Sequence, residues 1–328
     1  MSTSNDSAIP QLSRPLVIGS RGSKLALAQA RFTQDALRRL APEVETRVEI
    51  IKTSADRDQI TSLRTPSENG GSGVFVKELE QALLRGEIDL AVHSMKDVPT
   101  AIAEGLCIAA VPEREIARDV LLISEAVLPG GRAASLAELP AGARVGSGSF
   151  RRQAQLLALR PDLQILDIRG NVDTRIRKME QGLYDAVALA YAGLRRLGLQ
   201  HLISYEFPFA EMLPAPGQGA LAIETRADDA FTVSVAAQMN HPDTALAVAT
   251  ERNFLERMGG GCNVPIATYA RIDQGALVMD VLVASPDGRR MVRNAAVGEP
   301  ECNQELVAAL TGTMLAAGCR EILHEFRN

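Results

Sequence analysis

Leu16-Val17-Ile18-Gly19-Ser20-Arg21-Gly22-Ser23 and Val145-Gly146-Ser147-Gly148-Ser149-Phe150-Arg151-Arg152 carry one pattern twice. In each, a short apolar run gives way to a Gly/Ser loop bearing arginine, and the loop opens a helix. An apolar run of this kind bounded by glycine reads as a buried strand. After the first copy, Leu25, Ala28, Phe32, Ala36 and Leu40 keep the helical period from Lys24 to Leu40. The echo continues downstream. Gly86 ends the helix Phe75–Arg85 ahead of the strand Ile88–Val92, and Gly182 stands in the same place ahead of Ala186–Ala190. Strands alternating with helices in two similar blocks predict an α/β fold of two lobes facing each other across a cleft.

Between these markers, Val44–Thr53 alternates apolar and charged residues as a strand, and the polar stretch Asp56–Gly73 reads as a long mobile loop. Leu106–Val111 and Val120–Ile123 are strands with a crossing point at Pro112-Glu113-Arg114. Ile165–Ile168 is a strand, and a helix ends near Gln181. Gly217-Gln218-Gly219-Ala220 leads into a strand, Leu221–Glu224, that returns to the first lobe. The helix Thr244–Met258 runs into Gly259-Gly260-Gly261-Cys262-Asn263-Val264-Pro265-Ile266. Strands Leu277–Leu282 and Arg290–Ala296 flank the turn Ser285-Pro286-Asp287-Gly288, and one closing helix spans Gln304–Phe326. This sets a first α/β lobe at 1–113 and 217–238, with a disordered tail at 1–14. A second lobe follows at 114–216 and a small C-terminal α+β domain at 239–328.

At 328 residues the chain can build several cores. Met1–Pro15 holds no apolar segment of a signal peptide and no apolar run reaches a membrane span, so a cytoplasmic location is expected, with no membrane partner. Cys107, Cys262, Cys302 and Cys319 are scattered, and His93, His201, His241 and His324 show no ligand spacing; neither disulfides nor a metal are expected. A net charge of −5, no Trp and 4% aromatics argue against nucleic acid as a partner.

The chemistry gathers at the loops. Free N–H groups at the helix starts after Gly19–Ser23 and Gly146–Ser149 form anion sites. Arg21, Arg151, Arg152, Arg169 and Arg175 all lie at such junctions, where the helix dipole disfavours a cation that is merely solvated. Arginine's planar fork suits carboxylates, so the ligand carries several carboxylates or phosphates. Asp97, in His93-Ser94-Met95-Lys96-Asp97-Val98-Pro99, ends a buried strand facing the same crevice and is the candidate acid/base. Three glycines before Cys262 present its thiol rather than bury it. Gly146-Ser147-Gly148, with Asp167 about 20 residues on, matches part of a dinucleotide fingerprint, but Arg151 replaces the third glycine and argues against it.

Taken in order, Val17-Ile18-Gly19-Ser20-Arg21, Phe75-Val76-Lys77-Glu78-Leu79-Glu80, Ala91–Pro99, Phe150-Arg151-Arg152-Gln153, Arg169-Gly170-Asn171-Val172, Pro216–Ala220 and Gly260–Ile266 resemble porphobilinogen deaminase (hydroxymethylbilane synthase) from about Leu16 to Tyr269. The resemblance implies two binding-protein-like lobes and a third domain bearing the cysteine. It implies a transferase that joins four porphobilinogen molecules head to tail, losing ammonia each time, and releases hydroxymethylbilane for tetrapyrrole biosynthesis. A dipyrromethane cofactor, attached through a thioether to Cys262, would be the primer. Asp97 would assist departure of the aminomethyl nitrogen and stabilise cationic intermediates. Lys96, Asp97, Ser149, Arg151, Arg152, Arg169 and Arg175 would hold the cofactor, and Arg21, Ser23, Arg169, Arg175 and Arg196 the substrate carboxylates.

Two positions depart from the family pattern. Gly70-Gly71-Ser72-Gly73 lacks the usual lysine, and Gly148 interrupts the hydroxyl residues before Arg151. The competing reading is a non-catalytic two-lobed module for a polycarboxylate anion, which would need neither a presented thiol nor an acid beside the arginines. One cleft within one chain suggests a monomer.

Overall fold

The computed structural model describes residues 14–51, 74–130, 132–133, 135–260 and 264–327. The expected tail before Arg14, the 56–73 loop with Ser72, and Cys262 itself lie outside the described residues.

β1 (Leu16–Ser20) is buried along its length, as an apolar run between two helical layers must be. It pairs in parallel with β2 (Thr46–Ile50) and β3 (Leu90–Ser94). β10 (Leu221–Arg226) lies antiparallel to both β3 and β4 (Leu106–Ala110), giving the order β2-β1-β3-β10-β4. α1 (Lys24–Leu40) covers one face with Ala30, Ala36 and Leu37 against Leu16, Ile18, Leu90 and Ile223. α2 (Val74–Leu84) covers the other with Leu79, Ala82 and Leu83 against Val17 and Ala91.

The second sheet repeats this plan. β6 (Arg144–Gly146) is parallel to β7 (Gln164–Leu166) and β8 (Ala186–Ala190). β5 (Asp119–Ile123) runs antiparallel between β8 and β9 (Tyr205–Glu206), giving β7-β6-β8-β5-β9. α3 (Phe150–Leu159), α4 (Val172–Glu180) and α5 (Tyr191–Arg196) pack on it. The antiparallel fourth strand comes before the other strands of the second sheet and after those of the first. The chain therefore crosses between sheets twice, from β4 to β5 through Arg114 and from β9 to β10 through Gly217.

α6 (Ala230–Ala237) packs on the first sheet. α7 (Pro242–Arg257) then leads into the meander β11 (Ile266–Asp273), β12 (Ala276–Ala284) and β13 (Met291–Gly298), which encloses a core with α8 (Asn303–Ala316) and α9 (Cys319–Arg327). Two lobes of one plan plus a small α+β unit make up the fold. The strand β11 and the helices α5 and α6 went unread in the sequence. The single closing helix expected over Gln304–Phe326 is instead two, bent by 75°. Its apolar period carries on through the break, but Gly318 takes φ +88°, which a helix interior excludes. Among the described residues, no single helix is long and apolar enough to cross a membrane.

The third unit grips both lobes. Arg252 on α7 donates to Val98 O (2.9 Å) and Thr100 O (3.2 Å), just past β3. Arg293 on β13 donates to Ala210 O (2.6 Å) and Phe209 O (3.0 Å) in the second lobe. The hairpin turn lies so close to α3 that a Cβ at Gly288 would stand 2.4 Å from Ala154 O.

The two crossings touch where Glu115 N donates to Gly219 O at 3.3 Å. Gly219 has φ +89°, and a Cβ there would lie 2.3 Å from Glu115 O. Gly86 has φ +69° but open space around it. Gly219→Ala should therefore lose on the order of 2–4 kcal/mol in denaturant unfolding, against about 1 kcal/mol for Gly86→Ala. Equal losses would contradict the crossing contact.

Candidate active site

β3 ends in Ser94 and a 3-10 turn, Met95–Asp97, closed by Val98 N donating to Met95 O at 3.1 Å. Met95 is buried, Lys96 half-buried and Asp97 exposed. The second crossing presses on this turn: Gly217 has φ +71°, and a Cβ there would come within 2.7 Å of Met95 Cγ and 3.3 Å of Lys96 N. Gln29 on α1 braces the other side, its Nε2 donating to Ser94 Oγ at 2.9 Å.

Opposite, in the second lobe, Ser149 caps α3 by accepting from Arg152 N at 3.4 Å. At Gly148, the break in the hydroxyl run, a Cβ would stand 3.1 Å from Ile168 O, a tight approach. Arg151 and Arg152, in the first turn of α3, are both buried. They converge on Asp119, the fully buried first residue of β5. Arg151 Nη1 donates to Asp119 Oδ2 at 2.6 Å and Arg152 Nε to Asp119 Oδ1 at 2.8 Å. Arg151 also donates to Leu213 O (2.7 Å) and Arg152 to Ala188 O (3.1 Å). Burial alone would raise the Asp119 carboxyl, but the charges of Arg151 and Arg152 and hydrogen bonds from Arg151 and Gln218 hold it well below the usual carboxylate range.

Positive charge remains in excess. Burial, then the Arg152 charge, push the Lys96 ammonium down to about 8, against the pull of Asp97 and Asp119. Burial, then Arg152 and Arg169, lower Arg175 to about 10, again against Asp97. Lys96 and Asp97 of the first lobe thus stand in the field of Arg151, Arg152 and Arg175 of the second. The sequence-predicted residues Lys96, Asp97, Ser149, Arg151, Arg152 and Arg175 share one cleft.

Arg175 also has a partner of its own, and Arg169, Arg196, Arg21 and Ser23 stand further out. Arg175 Nε donates to Gly170 O at 2.8 Å, and exposed Arg169 pairs with Asp167 at 2.9 Å. Arg196, lowered by burial to about 10, donates to Gly219 O at 2.7 Å and so lies at the crossing. Arg21 precedes α1, whose cap Ser23 accepts from Ala26 N at 3.3 Å; Lys24 beside it reaches Asp173 of the second lobe at 3.6 Å. A pocket lined by Lys96, Ser149 and Arg151 also meets Arg252 and Leu255 of α7 and Val264 and Ile266. The last two follow 261–263 directly, so the chain just after Cys262 borders this pocket. Asp119, Gln29 and Arg252 were missed in the sequence. Among the described residues, no group of three or more His, Cys, Asp or Glu could hold a metal.

The model of the porphobilinogen deaminase dipyromethane cofactor-binding domain matches residues 16–234, and that of the porphobilinogen deaminase C-terminal domain matches 245–316. The chain belongs to the porphobilinogen deaminase family. The porphobilinogen deaminase of Desulforudis audaxviator is 47% identical over 96% of this chain and 98% of its own length. That of Pelobacter propionicus is 46% identical over 95% and 97%. Among solved structures, the periplasmic aliphatic sulphonate-binding protein SsuA of Escherichia coli aligns over 76% of this chain and 71% of its own, at 16% identity and a TM-score of 0.38, a faint likeness on which nothing further rests.

The residues present fit the cofactor of porphobilinogen deaminases. A dipyrromethane carries several carboxylates, and the cleft offers cations whose pKa values are lowered first by burial and then by neighbouring arginines. Lys96 is a direct probe of that setting. Its folded pKa lies below its unfolded one of 10.5, so its contribution to stability is greatest above pH 10.5 and falls as the pH drops to about 8. A bound polyanion should reverse the shift. In an unprimed Cys262→Ser chain, NMR of 13C-labelled lysine should show Lys96 titrating near 8, and Arg152→Leu should move it upward. A Lys96 that titrates above 10 in both chains would contradict this charge balance.

Proposed function

We propose that this porphobilinogen deaminase works through Asp97, between a primer held on Cys262 and a cleft of fixed cations. The reaction is the head-to-tail joining of four porphobilinogen molecules on a dipyrromethane primer, with release of ammonia at each round and of hydroxymethylbilane at the end. The reading is carried by one observation: an exposed carboxylate, Asp97, adjoins Lys96, which with Arg151 lines a pocket shared with Val264 just after the Cys262 position.

Bound through Cys262, the dipyrromethane supplies the free pyrrole carbon from which the chain grows. Lys96, Asp97, Ser149, Arg151, Arg152, Arg169 and Arg175 would hold this cofactor. Because Asp119 already lies between Arg151 and Arg152, these two form a fixed pair rather than mobile side chains. Arg21, Ser23, Arg169, Arg175 and Arg196 take the acetate and propionate of the incoming porphobilinogen, each guanidinium as a planar fork.

Asp97 then holds a proton at the aminomethyl nitrogen as the carbon–nitrogen bond breaks and ammonia leaves. Its carboxylate balances the positive charge that develops on the substrate pyrrole. The proton given up when the new carbon–carbon bond is complete returns to the same carboxylate. Lys96 and the arginines keep the nearby carboxylates ionised and in place.

The units expected from the sequence, 1–113 with 217–238, 114–216, and 239–328, are the bodies proposed to move during growth. We assign the enzyme to the cytoplasm as a monomer, since the lobes and the cysteine loop come from one chain. A non-catalytic anion-binding module is disfavoured by the family itself.

Asp97→Ala removes an exposed side chain and should leave unfolding free energy within about 0.5 kcal/mol of wild type. Ammonia release from porphobilinogen should nevertheless fall by roughly 10²–10⁴-fold. Near-normal release by a correctly folded variant would remove Asp97 from the mechanism.

A further inference from the structure

Pro216-Gly217-Gln218-Gly219-Ala220 helped to carry the family resemblance, yet none of its side chains has a role in the chemistry above. Gln218, at its centre, is fully buried. Its Nε2 donates to Ala117 O at 2.6 Å and to Asp119 Oδ1 at 3.1 Å. Its Oε1 accepts from Arg151 Nη2 at 3.5 Å, and its backbone O accepts from Arg114 Nε at 2.8 Å. An amide is the one neutral side chain of this length that gives a donor to a carboxylate and an acceptor to a guanidinium at once.

The residues beside it fix what this bridge connects. Gly217 rests on Met95 and Lys96 N, and Gly219 on the Glu115 carbonyl. Gly217 N also donates to Glu251 Oε2 at 2.6 Å, and Glu251 pairs with Arg114. Three consecutive residues therefore touch the Lys96–Asp97 turn of one lobe, the Asp119–Arg151 pair of the other, and the first crossing between them.

We infer that Gln218 is a positioning residue that sets the Asp119-bound arginine pair against the Lys96–Asp97 turn across the two lobes. The inference rests on the porphobilinogen deaminase reading of the cleft. Gln218 acts through Asp119 and Arg151 and has no need to touch substrate. A residue that merely filled the crossing would change stability and leave the cleft's electrostatics and substrate affinity as they are.

Gln218→Met keeps the length and apolar volume and deletes both hydrogen-bonding faces. Gln218→Glu keeps the acceptor toward Arg151 and deletes the donors to Asp119 and Ala117, and it serves if the Met variant does not fold. In either folded variant, KM for porphobilinogen should rise about tenfold with kcat within about threefold, a change of about 1.4 kcal/mol in binding. In an unprimed Cys262→Ser background, Gln218→Met should move the Lys96 titration, followed by 13C-lysine NMR, upward from about 8 by about one unit as the Asp119-held arginine pair relaxes, whereas Gln218→Glu, whose own charge raises Lys96, is judged by KM alone. A lowered melting temperature with either KM or the Lys96 titration unchanged would overturn the inference. Wild-type turnover of porphobilinogen tests the family reading separately: its absence would sink that reading, while the Lys96 titration would still judge Gln218.

Discussion

Taking two guanidiniums out of water side by side is costly, several kcal/mol per ion, unless an anion lies between them and their remaining donors are satisfied. Asp119 meets that requirement for Arg151 and Arg152, and the carbonyls of Leu213 and Ala188 take further donors. The position is available only because β5 enters the second sheet antiparallel, starting where the first crossing ends. Asp119 therefore lies, fully buried, at the same end of the sheet as the carboxyl end of β8. Burial lowers Lys96 and Arg175, and the charge of Arg152 lowers both further. A ligand with many carboxylates is what such a cleft is built to take up.

The same constraint links chemistry to architecture. Both crossings run beside the arginine pair, and the third unit grips the first lobe through Arg252 immediately after the Lys96–Asp97 turn. α7, which carries Arg252, continues into the cysteine loop. A chain tethered at Cys262 would thus be anchored to the unit that holds the Lys96–Asp97 turn. At the crossings that join the lobes, Gly217 and Gly219 hold backbone conformations that other residues strain to adopt.

Much of this was legible in the sequence because it is local. The Gly/Ser loops and the glycine stops at 86 and 182 are decided within a few residues, whereas the hydroxyls of Ser23 and Ser149, unread as caps, take N–H groups of the helix starts that were expected to be free. The arginines were legible as a set, since cations at helix starts run against the dipole. What they bind within the protein was not. Asp119 reads as a polar residue opening an apolar strand, and only the fold brings it to side chains 32 and 33 positions away. Arg196 was read as a substrate contact, and that it also holds Gly219 O at the crossing could not be foreseen from its own helix. The closing helix was misread because Leu306, Leu310, Met314, Ile322 and Leu323 keep an apolar pattern across Gly318, while the sign of φ at one glycine decides the bend.

The central claim is that this cleft serves a primer covalently bound to Cys262, and intact-protein mass spectrometry under denaturing conditions tests it most directly. The wild-type chain should carry the added mass of one dipyrromethane, and a Cys262→Ser chain should not. An unmodified wild-type chain that stays unmodified after incubation with porphobilinogen would contradict the account.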